Sequence, residues 1–84
     1  MDQEDPDERL LDDVGRRTGE LRVRAGLTQA QVAEAVAMTV PNYQRIEAGT
    51  QNLTLRTMAK IARVLGVRVV DLLLPPEAPR PKRR

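Results

Sequence analysis

The stretch that decides the fold is Leu27 to Gly49, LTQAQVAEAVAMTVPNYQRIEAG. Thr28 lies three residues before Gln31, the capping-box spacing at which each side chain can bond the other residue's backbone N–H at a helix start. Thr39 marks a second helix start, and Gly49 can adopt the left-handed conformation that ends a helix. Two short helices with marked starts and a tight turn between them predict a helix-turn-helix.

Apolar residues recur at helical spacing on both sides of this stretch. Upstream, they predict a helix that Gly26 ends. Downstream, Thr54 marks another helix start and Gly66 its end, and Pro75 forbids continuation of a last short helix. No segment has the alternation of a strand. The five predicted helices span residues 9–25, 29–36, 40–48, 55–65 and about 69–74.

The composition excludes several kinds of site. The 84 residues contain no cysteine and no histidine, which excludes disulfides, thiol nucleophiles and thiolate or imidazole metal sites. Tyr43 is the only aromatic residue, so the chain has no base-stacking platform for single-stranded nucleic acid. We therefore expect no enzyme, and neither a metal, a cofactor nor a small-molecule ligand. No apolar run approaches the ~20 residues of a membrane span, and the acidic N-terminus is unlike a signal peptide, so we expect a cytoplasmic protein.

The net charge of +2 is distributed unevenly along the chain. Residues 1–13 hold seven acids against Arg9, residues 14–74 hold nine bases against four acids, and residues 75–84 hold four bases against Glu77. A basic body of this kind suits a polyanionic partner. An ordinary solvated surface would give the same count.

The segment TQAQVAEAVAMTVPNYQRIEAG, with LRVRAGLTQ before it and TMAKIARVLGV and DLL after it, resembles the lambda-repressor and Cro-like (Xre-type) helix-turn-helix family. The resemblance covers roughly Val14 to Leu74. It implies a compact, all-α, five-helix lambda-repressor-like bundle that acts as a homodimer on double-stranded DNA. The expected organisation is an acidic disordered arm at 1–8, a helix-turn-helix DNA-binding domain at 9–74 and a proline-rich basic tail at 75–84.

Carried over position by position, the resemblance implies that the third helix reads bases with Val40, Pro41 and Arg45. A guanidinium can donate two hydrogen bonds to guanine, whereas Val40 and Pro41 replace polar residues common in the family and can only pack on thymine methyls. Alternatively, Val40 and Pro41 merely start the helix, and Arg45 is a solvated charge. Contacts with the DNA backbone or the edges of the site are expected from Gln29, Thr39, Asn42, Gln44, Thr50, Gln51, Asn52 and Arg56.

Other positions have structural roles in the family pattern. Arg22 and Glu47 are paired there in a bridge that would fix the angle of the reader helix. Many relatives have glycine in place of Ala37, so we expect either about 1 kcal/mol of strain in this turn or a slight shift of the crossing angle between the two helices. Arg16, Arg17 and Arg24 are expected to be solvated. The last helix is apolar almost all round, so either it is fully buried or it forms a dimer interface, for which the candidates are Val69, Val70, Leu73 and Leu74.

The sequence therefore predicts a sequence-specific transcriptional regulator whose reader helix, about residues 40–48, enters the major groove of a palindromic operator. The alternative is a protein–protein interaction module on the same fold, acting as an antitoxin or as a regulator of a partner factor. Val40 and Pro41 on the reader face, together with the acidic arm, favour this alternative.

Overall fold

The computed structural model describes residues 5–78, and the regular secondary structure in this part of the chain is entirely helical, which confirms the predicted all-α class. Residues 1–4 of the predicted arm and residues 79–84 of the predicted tail lie outside the described residues. The helices are α1 (Pro6–Arg24), α2 (Gln29–Ala35), α3 (Val40–Glu47), α4 (Leu55–Leu65) and α5 (Val69–Leu72). The bounds of α2 to α5 agree with the predicted ones to within two residues.

Side-chain caps define where α2, α3 and α4 begin. The Thr28 hydroxyl accepts the Gln31 N–H at 3.1 Å, and the Gln31 side chain accepts the Thr28 N–H at 2.8 Å. Thr39 and Thr54 each accept the backbone N–H three residues further on. Because each cap satisfies backbone donors that a helix leaves without partners, these short helices have fixed starting points.

α1 begins at Pro6, three residues before the predicted Arg9, so its first turn takes up part of the predicted disordered arm. The Asp5 side chain accepts the Asp7 N–H at 2.8 Å. Pro6 at the start of the helix loses no helical bond, because the first N–H groups have no partner inside the helix. Asp7 and Glu8 lie near the positive end of the helix dipole, where negative charge is favourable. Asp7 and Glu8 cannot pack in an apolar core, but they stabilise the start of α1.

A single apolar core joins all five helices. α3 contributes Tyr43 and Ile46, which are 0% and 1% exposed, and its opposite side remains at the surface. Burial of each large aliphatic side chain in such a core contributes roughly 1.5–3 kcal/mol. The core consists of Leu21, Val32, Ala33, Val36, Tyr43, Ile46, Met58, Ile61, Ala62, Leu65 and Leu72.

Gly15 allows α1 and α3 to approach closely. A Cβ atom at this position would clash with the carbonyl oxygen of Ile46 and would lie 2.6 Å from that of Glu47. Glycine costs about 1 kcal/mol relative to alanine in a helix interior, and here its lack of a side chain permits a backbone contact that no other residue allows. The position of α3 on the bundle therefore depends on this residue.

The turn between α2 and α3 contains Ala37 at a φ of +59°, in the left-handed region. This region is unfavourable for residues with a Cβ atom. The turn therefore adopts the glycine-type conformation that the sequence analysis expected, with an alanine in it.

Arg17 differs from the expectation that it would be solvated. It is 7% exposed, and its Nε donates to the carbonyl oxygen of Asp71 at 2.9 Å. This bond joins α1 to α5, 54 residues apart in the sequence. Arg16 and Arg24 also have partners, because Arg16 donates to the carbonyl of Ala78 and Arg24 bonds the carboxylate of Glu77.

Candidate nucleic-acid interface

The outer side of α3 carries the residues that the sequence analysis assigned to base reading. Pro41 and Arg45 are exposed, and Val40 is 36% exposed. Because Tyr43 and Ile46 point into the core, the helix presents one fixed side to the surroundings. Val40, Pro41 and Arg45 therefore lie at the surface of the bundle.

Arg45 is held in place by a neighbour on the same helix. Its Nη1 donates to Asn42 Oδ1 at 2.7 Å, at the i, i+3 spacing that brings side chains together on a helix surface. Asn42 is half-buried, and Thr39 accepts its backbone N–H at 3.2 Å. Three of the predicted site residues therefore form one contact group at the start of α3.

Arg22 of α1 and Glu47 of α3 lie in direct contact. Arg22 Nε donates to Glu47 Oε2 at 2.6 Å, and Arg22 Nη2 donates to Glu47 Oε1 at 3.2 Å. Arg22 Nη1 also donates to the carbonyl oxygen of Leu27, just before α2. One guanidinium therefore connects α1, the start of α2 and the end of α3, in the two-pronged geometry that makes arginine–carboxylate pairs strong.

The protonation state of this pair is well defined. Burial alone would raise the pKa of Glu47, but the hydrogen bonds that it accepts, first from Arg22, outweigh burial and leave its pKa below the ordinary value. The hydrogen bond to Glu47 raises the pKa of Arg22. Burial, followed by the neighbouring Glu47, raises the pKa of Tyr43 far above its ordinary value. Glu47 is therefore anionic and Tyr43 neutral at pH 7.

Gln29 extends this network toward the surface. Its Nε2 donates to Glu47 Oε1 at 3.0 Å, and its Oε1 accepts from Gln44 Nε2 at 3.2 Å. Gln29 and Gln44 are both predicted DNA contacts, and nothing in the sequence indicates their bond to each other. The first residue of α2 is thus fixed to the outer side of α3.

The segment after α3 carries the remaining candidates. The Thr50 hydroxyl donates to the carbonyl oxygen of Arg45 at 3.3 Å, which places it directly after α3. Gln51 is half-buried, and Asn52 is exposed. Arg56 is exposed in the first turn of α4, and no described contact joins it to the other candidates. Hydrogen bonds therefore link Gln29 to Gln44, and Thr50 to Arg45, the residue that follows Gln44. Arg56 is outside this set of contacts.

The dimer candidates are only partly covered. Val70, Leu73 and Leu74 are 48%, 50% and 45% exposed, whereas Val69 is half-buried against the core. Leu10 of α1 is 56% exposed and lines, with Leu73, a groove of about 280 Å³ between α1 and the end of α5. Full burial of the last helix therefore does not hold for Val70, Leu73 and Leu74, which remain at the surface of the monomer.

Within residues 5–78, no helix is long and apolar enough to span a bilayer. The same residues contain no group of three or more acidic side chains placed to hold a metal ion.

A family model for helix-turn-helix proteins matches residues 19–72, more than half of the chain. The protein belongs to the lambda-repressor-like (Xre-type) helix-turn-helix family. Over 58 residues, this helix-turn-helix protein is 36% identical to an uncharacterized HTH-type transcriptional regulator from Archaeoglobus fulgidus, a match that covers 69% of this chain and 83% of the relative.

Two further comparisons extend this finding. The helix-turn-helix protein is 35% identical over 54 residues to the cryptic phage CTXphi transcriptional repressor RstR of Vibrio cholerae, covering 64% of this chain and 49%, about half, of that repressor. The restriction-modification controller protein C.AhdI from Aeromonas hydrophila has the same fold, with a TM-score of 0.71 at 29% identity over 74% of this chain and 94% of that one. These relatives confirm the predicted transcription-regulator family and do not favour the interaction module.

Proposed function

We propose that this helix-turn-helix protein is a sequence-specific DNA-binding transcriptional regulator that inserts α3 into the major groove of a palindromic operator. The observation that carries the proposal is the exposed outer side of α3, which the Arg22–Glu47 pair fixes in orientation. A helix of this width fits the major groove, and in this motif the N-terminal part of the second helix meets the base edges.

Arg45 is the residue proposed to read a guanine through its O6 and N7 atoms. Asn42, which bonds Arg45 at 2.7 Å, limits the number of conformations that the guanidinium must give up on binding. Val40 and Pro41 are proposed to pack on thymine methyl groups. Apolar contacts discriminate bases less strongly than bidentate hydrogen bonds, so we propose that Arg45 supplies most of the direct readout.

Contacts with the DNA backbone are proposed for residues on either side of Arg45. Gln29 and Gln44 are fixed to each other, so both amides meet the phosphates in one arrangement. Arg56 supplies a positive charge in the first turn of α4, where the helix dipole makes it unfavourable and an anionic partner would make it favourable. The other proposed backbone or edge contacts come from Thr39, Asn42, Thr50, Gln51 and Asn52.

A homodimer is proposed because exposed apolar side chains gather at the end of α5. Val70, Leu73 and Leu74, with Leu10 of α1 beside them, form the proposed interface. A two-fold dimer would place two copies of α3 about 34 Å apart, in successive major grooves. Sedimentation at micromolar concentration tests this, because a species of only 9.4 kDa would contradict the dimer.

Selection from random DNA at physiological salt tests the proposed function. We expect an enriched palindromic motif, and footprinting should place the protein on both half-sites. Arg45→Ala should cost about 1–3 kcal/mol of binding and relax preference at one base pair, whereas Arg56→Ala should weaken all sequences alike.

Arg63→Ala is the matched control for these variants, since it removes the same charge from the exposed last turn of α4. Its effect on motif preference should be negligible. Absence of any enriched motif, or an Arg45→Ala variant that behaves like the control, would show that this face is not a reader.

A further inference from the structure

The segment that follows α5 is bound to α1 through its backbone. Glu20 accepts the N–H of Glu77 through Oε1 and the N–H of Ala78 through Oε2, both at 2.9 Å. Arg16 Nη2 donates to the carbonyl oxygen of Ala78 at 2.7 Å. Because these bonds end on main-chain atoms, they fix the path of the chain and not only the position of a side chain.

The side chain of Glu77 is held as well. Arg24 Nη2 lies 2.6 Å from Glu77 Oε1. Arg16, Glu20 and Arg24 are four residues apart and share one side of α1. We call these three residues the α1 clamp. The backbone N–H groups of residues 77 and 78 lower the pKa of Glu20, so its carboxylate is charged at pH 7.

Arg17 contacts both ends of the segment that the α1 clamp holds. Its Nε donates to the carbonyl oxygen of Asp71 at 2.9 Å, and its Nη1 lies 3.7 Å from Glu77 Oε2. The Arg17 side chain is only 9% exposed, so packing limits its movement. Residues 71–77 therefore form a loop whose first and last residues contact the same guanidinium.

This loop carries two of the apolar side chains of the proposed dimer interface. Leu73 and Leu74 are 50% and 45% exposed, and they lie between the two ends that Arg17 contacts. Pro75 and Pro76 follow them. The ring of each proline fixes its φ angle, and a residue that precedes proline is restricted to extended conformations. Few soft dihedral angles therefore separate the two leucines from the backbone that the α1 clamp binds.

The other part of the proposed interface belongs to α1 itself. Leu10 lies ten residues before Glu20 on this helix, a distance of about 15 Å along its axis. Leu10 and Leu73 line the same groove of about 280 Å³. Because one continuous helix carries both Leu10 and the α1 clamp, the loop that the clamp holds has a fixed place relative to Leu10.

We propose that the α1 clamp and Arg17 preorganise the surface to which a second copy of this chain binds, by holding Leu73 and Leu74 in place beside Leu10. This inference rests on the dimer in the proposed function. The residues of the α1 clamp are positioning residues, which act through the loop. A surface that is already ordered in the monomer loses less conformational entropy on association, so the dimer is tighter.

Glu20→Ala tests the positioning role, because it removes both acceptors of the backbone N–H groups. We expect the dissociation constant of the dimer, measured by sedimentation over a concentration series, to rise about three- to tenfold. Each substitution acts twice, since a two-fold dimer uses the same surface on both copies. Glu20→Gln keeps one oxygen acceptor and should give a smaller rise.

Glu34→Ala is the matched control for these variants. It removes the same charge from an exposed position on α2, so it reports the effect of net charge on self-association. Its dissociation constant should remain that of the wild-type chain. An equal rise for Glu20→Ala and Glu34→Ala would overturn the inference.

A double-mutant cycle separates positioning from general loss of stability. Leu74→Ala should raise the dissociation constant in the wild-type chain. In the Glu20→Ala chain it should raise the constant less, because a leucine without a fixed position already contributes less to the dimer. Additive effects of the two substitutions would overturn the inference. Arg24→Ala repeats the cycle in a chain that keeps both backbone bonds of Glu20, and its coupling to Leu74→Ala should have the same sign.

The sedimentation data also distinguish this inference from the proposed dimer. A chain that remains a species of 9.4 kDa at every concentration would contradict both. A dimer whose dissociation constant is the same in the wild-type, Glu20→Ala and Arg24→Ala chains would contradict only the role of the α1 clamp.

Discussion

Arg22 and Glu47 form two hydrogen bonds, of 2.6 and 3.2 Å, between α1 and α3. Their side chains are 16% and 11% exposed, so the pair is largely removed from water. Removal of one partner from a buried pair leaves an uncompensated charge, which is more costly than the loss of the whole pair. The orientation of the proposed reader helix therefore depends on both residues at once.

Arg22→Ala should lower the free energy of unfolding by about 3 kcal/mol, because Glu47 would remain charged and partly buried. Urea unfolding measures this value. Replacement of both residues by apolar ones, as in Arg22→Met with Glu47→Leu, should recover a large part of the loss. If Arg22→Ala lowered the free energy of unfolding by less than about 1 kcal/mol, the pair would contribute no more to stability than a surface ion pair does.

Stability should decrease at acidic pH in a way that depends on Glu47. Its pKa is lowered in the folded protein from an ordinary value of 4.5, so its contribution is complete above that value and is lost as the pH falls through the folded pKa. Glu47→Gln should therefore flatten the decrease of the unfolding free energy between about pH 5 and pH 2. The exposed Glu34→Gln variant is the control, and an equal decrease in the wild-type and Glu47→Gln proteins would contradict this role.

Ala37→Gly should stabilise the protein by about 0.5–1 kcal/mol, because glycine adopts a φ of +59° without strain. The strain that is relieved exceeds the free-energy cost of the additional chain entropy that glycine loses on folding. Thermal unfolding should show a higher midpoint. Ala48→Gly is the control, since Ala48 has a φ of −77° and the same substitution should there be neutral or destabilising. A lower midpoint for Ala37→Gly would show that the turn is not strained.

Gly15→Ala should destabilise the protein by about 2–3 kcal/mol, although alanine is the better helix former. The added Cβ atom would meet the backbone carbonyls of Ile46 and Glu47, which cannot move without shifting α3. Gly19→Ala should cost less, since its Cβ atom would meet only the Glu47 side chain, at 3.1 Å. Chemical unfolding of the two variants compares them, and equal stability of both would contradict the close approach of the helices.

The helix starts could be predicted because their determinants are local. Thr28 and Gln31 satisfy each other within a single turn, so a spacing of three residues is sufficient to locate α2. The predicted start of α1 at Arg9 is three residues too late, because acidic composition is typical of disorder, although the same acids favour a helix N-terminus. The signal was present in Asp5 and Pro6, an N-cap residue followed by a proline.

Contacts between distant parts of the chain could not be predicted from spacing. The carbonyl that Arg17 binds is 54 residues away and belongs to the backbone, so no pattern of side chains indicates it. The bond between Gln29 and Gln44 arises from the crossing of α2 and α3, which periodicity does not specify. Arg16, Glu20 and Arg24 recur at intervals of four along α1. Their spacing does not indicate that they bind Glu77 and Ala78, which lie more than 50 residues away.

α1 supports both halves of the proposed mechanism. Arg22 attaches it to α3, and Arg17, five positions earlier and therefore about 7.5 Å along the helix, attaches it to α5. The separation between the proposed reading surface and the proposed dimer surface is thus set by one continuous helix with little freedom to stretch. The proposed dimer would therefore be sensitive to the spacing of the proposed half-sites: one extra base pair between them, about 3.4 Å, should reduce binding to that of an isolated half-site.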